Sequence, residues 1–159
     1  MEKFIDRHDA GIILAGHLKN YANNPQAIVL ALPRGGVPVA YEIAKSLNLP
    51  LDVFIVRKLG VPGHEELAMG ALATGGIIIF NEEIIDSLNL PKESIERIIQ
   101  SEQKELERRE LAYRGGAPLP ILKDKTIILV DDGIATGATM YAALKALYLQ
   151  KPKQIIVAV

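Results

Sequence analysis

Two adjacent carboxylates stand at the end of an apolar run, and very small residues follow them. The stretch 128–140 reads ILVDDGIATGATM, in which Asp131 and Asp132 precede a series of Gly, Ala and Thr. An apolar strand, a loop and a helix in this order form a ligand-binding edge in parallel sheets. The helix offers free backbone N–H groups and the positive end of its dipole, which attract an anion.

The small residues of this loop suit a phosphate group. Ala135, Gly137 and Ala138 keep bulky side chains away from the backbone amides, and Thr136 and Thr139 add hydroxyl donors. The loop is not a Walker loop, because no Lys follows the last Gly, and the chain has no G-x-G-x-x-G dinucleotide fingerprint. We therefore interpret the loop as a phosphate cradle of another kind.

The two aspartates would repel a phosphate unless the ligand also carries hydroxyl groups nearby. A ribose 5-phosphate has both groups. The cradle would hold its phosphate, while Asp131 and Asp132 would accept hydrogen bonds from the 2- and 3-hydroxyls. The alternative for this stretch is a polar turn with an N-capping Thr.

A second loop, PRGG at 33–36, also lies between an apolar run and a helical pattern. Arg34 presents a rigid fork of donors that matches phosphate oxygens. Gly35 and Gly36 permit a close or strained backbone. The alternative is a tight turn with a solvated Arg34.

The pattern of apolar residues predicts a sheet with flanking helices. A strand at 27–32, a helix at 37–48 and a strand at 51–58 form a βαβ unit, so the two strands should be parallel. A polar loop follows at 59–66, and TGG at 74–76 predicts a hairpin. The remaining predictions are helices at 7–22, 82–89, 91–114 and 138–150 and strands at 125–130 and 154–159.

Composition limits the classes of function. The chain has 159 residues and no cysteine, and its net charge is −1. This charge gives no broad basic surface for nucleic acid or membrane, and the lack of cysteine fits a reducing cytoplasm. We expect one domain over residues 1–159, with the absence of a C-terminal part as an open alternative, because the chain stops inside an apolar run.

The stretch IILVDDGIATGAT (127–139) resembles, over its whole length, the phosphoribosyl-diphosphate (PRPP) signature of the type I phosphoribosyltransferases. The PRGG loop and the RK pair at 57–58 resemble further loops of that family in the same order. The block from PRGGVPVAYEIA to DVFIVRKLG is most similar to a poorly characterised phosphoribosyltransferase-like group. The resemblance implies an α/β fold with a doubly wound, mostly parallel sheet flanked by helices, and a flexible loop and hairpin after the second strand.

The resemblance also implies an activity. A Mg²⁺-dependent pentosyltransferase would move the 5-phosphoribosyl group of PRPP to a nitrogen base, most simply a nucleobase in nucleotide salvage, and release diphosphate. The Mg²⁺ ion would be held mainly by the substrate, without dedicated protein ligands. A homodimer is implied as well, whereas the expected cytoplasmic location rests on the composition. The alternative is a regulatory module that binds PRPP or a nucleotide without catalysis.

Site residues follow from the resemblance by position. Arg34, Arg57, Lys58 and the two aspartates would be catalytic, although a solvated strand end is the alternative for Arg57 and Lys58. The implied diphosphate contacts are Arg34, Gly35, Gly36 and Lys58. The implied PRPP contacts are Asp131, Asp132, Gly133, Ala135, Thr136, Gly137, Ala138 and Thr139.

Overall fold

Helices and strands alternate along the chain in the computed structural model, which describes residues 4–133 and 137–159. The helices are α1 (Arg7–His17), α2 (Gly36–Leu47), α3 (Glu82–Leu88), α4 (Lys92–Arg114) and α5 (Ala138–Tyr148), with a 3₁₀ turn at Lys19–Tyr21. The strands are β1 (Ala27–Ala31), β2 (Leu51–Val53), β3 (Val56–Val61), β4 (His64–Ala73), β5 (Ile77–Phe80), β6 (Thr126–Val130) and β7 (Gln154–Ala158).

A four-stranded parallel sheet in the order β2-β1-β6-β7 carries the two candidate loops. Strands β1 and β6 lie side by side at its centre, and every residue of both strands is buried. Continuous apolar runs are typical of strands covered on both faces. The pairing of β1 with β6 ends at Ala31 and Val130. The loops that follow these two strands therefore start next to each other at the carboxyl edge of the sheet.

Helices α1 and α2 pack together on this part of the fold. A methyl group on Gly11 of α1 would lie 2.5 Å from Cβ of Glu42 and 2.8 Å from the carbonyl oxygen of Val39, both in α2. Only glycine allows two helix backbones to approach so closely. The core beneath includes Ala10, Ala15, Val29, Ala31, Val39, Ile43, Leu47, Ile128 and Val130.

The prediction of one strand at 51–58 is wrong. Strand β2 covers only Leu51–Val53 and pairs in parallel with β1, whereas Val56–Val61 forms β3 in a separate antiparallel sheet of order β3-β4-β5. Phe54 and Ile55 between them are buried. A continuous apolar sequence does not indicate the residue at which the chain leaves one sheet and enters another. The pattern therefore predicted one strand where the structure has two.

The predicted loop at 59–66 is also wrong in this structure, because β3 and β4 form a hairpin there. The turn lies at Pro62 and Gly63, and Gly63 has a φ of 77°, which favours glycine. The hairpin predicted at TGG is present between β4 and β5, and the long helix predicted at 91–114 is α4. Among the helices of the described residues, none is long and apolar enough to cross a membrane.

The chain divides into two compact units. The first contains Met1–Phe54, Pro120–Gly137 and Leu147–Val159, and therefore the parallel sheet. The second contains Ile55–Leu119 and Ala138–Ala146, and therefore the antiparallel sheet and α4. The PRGG loop and the aspartate pair both belong to the first unit, whereas Arg57 and Lys58 belong to the second.

Candidate ligand site

The loop after β1 and the loop after β6 pack directly on each other. A methyl group on Gly35 would lie 2.1 Å from Oδ2 of Asp132, and one on Gly36 would lie 2.5 Å from the carbonyl oxygen of Val130. A side chain at position 35 would require the Asp132 carboxylate to move, and one at position 36 would require the backbone of Val130 to move. The two glycines of PRGG are therefore needed for this packing, and the sequence prediction of a close backbone approach at Gly35 and Gly36 agrees with it.

Backbone hydrogen bonds fix the PRGG loop next to strand β6. The N–H of Leu32 donates to the carbonyl of Val130 at 2.9 Å, and the N–H of Gly36 donates to the carbonyl of Leu32 at 3.0 Å. The peptide bond between Pro33 and Arg34 is cis. Helix α2 begins at Gly36 without a side-chain cap, and the Arg34 side chain is exposed beside this helix start.

Within residues 4–133 and 137–159, contacts of the aspartate pair include an internal hydrogen bond and a cation. The N–H of Asp132 donates to Oδ1 of Asp131 at 2.8 Å. Arg7 of α1 donates to Oδ2 of Asp132 from Nη2 at 2.7 Å and from Nε at 3.1 Å. The Arg7 side chain is 58% exposed and that of Asp132 is 34% exposed, so this ion pair lies at the surface.

The two carboxyl groups differ in their acidity. Partial burial raises the pKa of Asp131; the hydrogen bond from the N–H of Asp132 opposes this rise, and the Asp132 carboxyl group adds to it. The hydrogen bonds from Arg7 lower the pKa of Asp132. Two like charges in contact disfavour double ionisation, and the arginine decides which partner keeps its charge. Asp132 therefore keeps its charge to lower pH than Asp131, and Asp131 is the member that takes up a proton more readily.

The far end of the small-residue loop leads into α5. Gly137 has a φ of 80° and immediately precedes the helix, a conformation that favours glycine. Ala138 and Thr139 are the first residues of α5, and both are exposed. Gly133 is exposed as well, with open space around its Cα. The predicted contacts Ala135 and Thr136 lie outside the described residues.

The two cations predicted near the diphosphate lie on β3 in the second unit. Arg57 donates from Nε to Oε2 of Glu102 in α4 at 2.8 Å, and both side chains of this pair are about three-quarters buried. Successive residues of a strand point to opposite faces, so Lys58 projects away from the face that carries Glu102. Lys58 is exposed. Of the two, Lys58 is the one that remains available to a ligand, and its role stays a prediction.

Arg7 is the functional candidate that the sequence did not reveal. It lies 125 residues before Asp132 and is one of 18 Lys and Arg residues in a chain of ordinary charge. Its only local signal is its place as the first residue of a helix capped by Asp6. Such a position predicts a helix start and not a long-range contact.

Oxygen donors for a cation are limited in the described residues. No group of three or more His, Cys, Asp or Glu side chains in 4–133 and 137–159 could hold a metal ion. Asp131 and Asp132 offer carboxylate oxygens, which are the donors that Mg²⁺ prefers, but Mg²⁺ also uses water and substrate phosphates. The pair fits a metal that a ligand brings with it.

Comparison with known proteins defines the family. The family model described as the phosphoribosyl transferase domain matches residues 7–159. A protein of Mycobacterium tuberculosis, provisionally named a phosphoribosyl transferase in two strains, is 42% identical over 159 residues. The match covers the whole of this chain but only 36% of that protein, so the chain spans about a third of the length of these curated relatives. The chain belongs to the phosphoribosyl transferase domain family.

Solved structures confirm the predicted fold class. The crystal structure of the protein TT1426 from Thermus thermophilus has a TM-score of 0.80 and 38% identity, covering 98% of this chain and 74% of that one. A purine phosphoribosyltransferase from Pyrococcus horikoshii has a TM-score of 0.54 and 19% identity, with coverage of 98% and 74%. The second likeness concerns the fold alone. The α/β architecture with a parallel sheet and flanking helices is that of the type I phosphoribosyltransferases, as the sequence resemblance implied.

Proposed function

We propose that this chain transfers the 5-phosphoribosyl group of PRPP to a nitrogen base and releases diphosphate. The observation that carries the proposal is the packing of the PRGG loop on the aspartate pair at the carboxyl ends of β1 and β6. A ligand held there can place a diphosphate against Arg34 and the start of α2 while its ribose hydroxyls bond Asp131 and Asp132. Family membership supports the same reading.

In the proposed reaction, the bond between C1 of the ribose and the diphosphate oxygen breaks, and its electron pair leaves with the diphosphate. The lone pair of the acceptor nitrogen forms the new bond to C1, and the proton of that nitrogen passes to solvent. Positive charge grows on the sugar at the transition state, as in glycoside chemistry. The carboxylates of the aspartate pair favour this charge, and Arg34 and Lys58 stabilise the departing diphosphate.

We propose Mg²⁺ as the cofactor, since proteins of this family generally use it with PRPP. When bound, it would neutralise charge on the leaving diphosphate. The diphosphate and the ribose hydroxyls would be its main ligands, without dedicated ligands from the protein. The chain's own contribution is to orient the ribose and to keep cations beside the leaving group.

The acceptor is proposed to be a nucleobase, and purines are the first to test, because one structural neighbour is a purine phosphoribosyltransferase. A role in nucleotide salvage in the cytoplasm, as a homodimer, completes the proposal. A regulatory module that binds PRPP or a nucleotide without catalysis is the second candidate. The ion pair between Arg57 and Glu102 favours it, since a cation that acts on the leaving diphosphate would more simply be unpaired.

Titration calorimetry with PRPP, with and without Mg²⁺, tests the binding step. A screen of purine and pyrimidine bases for diphosphate release then tests transfer. Binding without release from any base would select the regulatory module, and no binding of PRPP would refute the proposed transfer.

Lys58→Ala separates binding from catalysis. Because Lys58 is assigned to the leaving group, we expect the rate of diphosphate release to fall about tenfold or more and the affinity for PRPP to fall by a smaller factor. Lys92→Ala is the matched control, since the Lys92 side chain is 90% exposed at the start of α4. Equal losses of rate and affinity in Lys58→Ala would contradict its assigned role.

A further inference from the structure

The first turn of α1 supplies a cation to the aspartate pair. Both hydrogen bonds from Arg7 end on Oδ2 of Asp132, at 2.7 and 3.1 Å, so Arg7 leaves Oδ1 of that carboxylate unengaged. A carboxylate has about four acceptor positions. It can therefore be held through one oxygen and still accept a hydrogen bond through the other.

Helix α1 presents Arg7 from a fixed position. Asp6 caps the helix by accepting from the N–H of Asp9 at 2.8 Å. His8 contacts Oε1 of Glu42 in α2 through Nδ1 at 2.8 Å, and Gly11 allows the close packing on α2 described above. Arg7 and Gly11 are four residues apart and share a face of the helix. The guanidinium thus comes from a docked helix and not from a loose N-terminal arm.

The Asp132 carboxylate is confined on two sides. Arg7 bonds Oδ2, and the Cα of Gly35 faces the same carboxylate so closely that a methyl group there would overlap it. These two contacts restrict rotation of the Asp132 side chain. The hydrogen bonds from Arg7 also lower the pKa of Asp132, so the group stays an acceptor for hydroxyls.

The positive charge of Arg7 also affects the repulsion between the aspartate pair and PRPP. PRPP carries a phosphate and a diphosphate, and two bare carboxylates in its site would oppose its binding. A guanidinium bonded to one of them offsets that repulsion without removing the acceptor. We propose that Arg7 is a positioning residue of the ribose subsite, which fixes the Asp132 carboxylate through Oδ2 and offsets its charge against the phosphates of PRPP. This inference rests on the proposed function.

Calorimetric titration with PRPP and Mg²⁺ tests the proposal on Arg7→Gln and Arg7→Lys. A charge-assisted hydrogen bond at a partly exposed site corresponds to about a tenfold change in affinity. We expect Arg7→Gln to bind PRPP about tenfold more weakly, and Arg7→Lys to lie between it and the wild type, because lysine keeps the charge but loses the fork. Arg108→Gln is the matched control, since it breaks an Arg–Glu pair of 2.6 Å in α4.

A double-variant cycle shows whether Arg7 acts through Asp132. If it does, Arg7→Gln should have little effect on PRPP affinity once Asp132→Asn is present. Additive losses would mean that Arg7 touches the ligand independently, and they would overturn the positioning role. Equal PRPP affinity of Arg7→Gln and the wild type would overturn it as well.

The pH dependence of PRPP binding provides a readout that a purely structural contact would not move. The charged groups of the described residues that touch Asp132 are Arg7 and Asp131. Without Arg7, the pKa of Asp132 should be higher, so this carboxylate becomes protonated earlier as the pH is lowered. The affinity of Arg7→Gln for PRPP should therefore begin to fall at a higher pH than that of the wild type. Coincident profiles would refute the inference. Wild-type protein that does not bind PRPP at all would instead refute the proposed function. Should Arg7→Gln fail to fold, Arg7→Lys carries the same comparison.

Discussion

Replacement of Gly36 by alanine tests the contact between the two loops most directly. A methyl group at this position would lie 2.5 Å from the carbonyl oxygen of Val130, about 0.9 Å short of ordinary contact, and 3.1 Å from Cα of Asp131. Both obstacles are backbone. They have no rotamer that could move away.

The surrounding structure leaves little room for relief. Val130 ends the central strand β6 and is paired with Ala31 on one side and Ala158 on the other. Gly36 is fixed by its own hydrogen bond to Leu32. Overpacking of this kind costs about 1–3 kcal/mol, and alanine recovers part of it because glycine is a poor helix residue. We expect Gly36→Ala to lose about 2 kcal/mol of stability, which lowers the melting temperature by roughly 4–8 °C for a chain of this size.

Thermal unfolding followed by circular dichroism measures the effect. Gly16→Ala is the control, because Gly16 is an exposed residue of α1 with nothing within 4 Å of the added methyl group. That variant should melt at the wild-type temperature or above it. If Gly36→Ala also melts at or above the wild-type temperature, the loops can separate at no cost, and the packing argument for the ligand site is refuted.

Two further substitutions probe the same loops. Gly35→Ala places its methyl group against the Asp132 side chain and not against backbone, and Gly35 has a φ of −59° that alanine can adopt, so we expect only a small loss of stability. We expect PRPP to bind at least about tenfold more weakly in calorimetry. Wild-type affinity for PRPP would contradict this. We expect Asp131→Asn to have a free energy of unfolding at pH 7 that is higher than that of the wild type by less than about 1 kcal/mol. The raised pKa of Asp131 means that its ionised form destabilises the folded state, and asparagine removes that charge. That difference should disappear as the pH falls below the ordinary pKa of 3.8, and melting curves that differ equally at pH 7 and pH 3 would contradict the assignment.

The sequence predicted those parts of the site that depend on local order. Apolar runs at 27–32 and 125–130 became β1 and β6, and the loops after them start at the same edge because parallel strands end together. Small residues at 35–36 correctly indicated a close backbone approach. Each of these predictions uses only the period of side chains along a strand or helix and the room that glycine leaves.

Contacts between distant residues could not be predicted in this way. The sequence offers no pattern that joins Arg7 to Asp132 or Arg57 to Glu102, because an exposed charged residue has many partners within reach of its side chain. The change of strand partner at Phe54 and Ile55 was missed for a related reason. Apolar residues suit either sheet, and the choice depends on which neighbouring strands the whole chain provides.

The contacts of the two aspartates give them different properties, and this difference bears on what the loop can bind. A pair of equivalent carboxylates in contact would share a proton and titrate as one unit. Arg7 removes that equivalence, because it stabilises the charge of Asp132 while partial burial disfavours the charge of Asp131. A ligand with negative phosphates therefore meets one carboxylate already compensated by a cation and one whose charged form is less favourable than usual. The same loop can then bond vicinal hydroxyls without the full repulsion of two anions, which a purely structural turn would have no need to achieve.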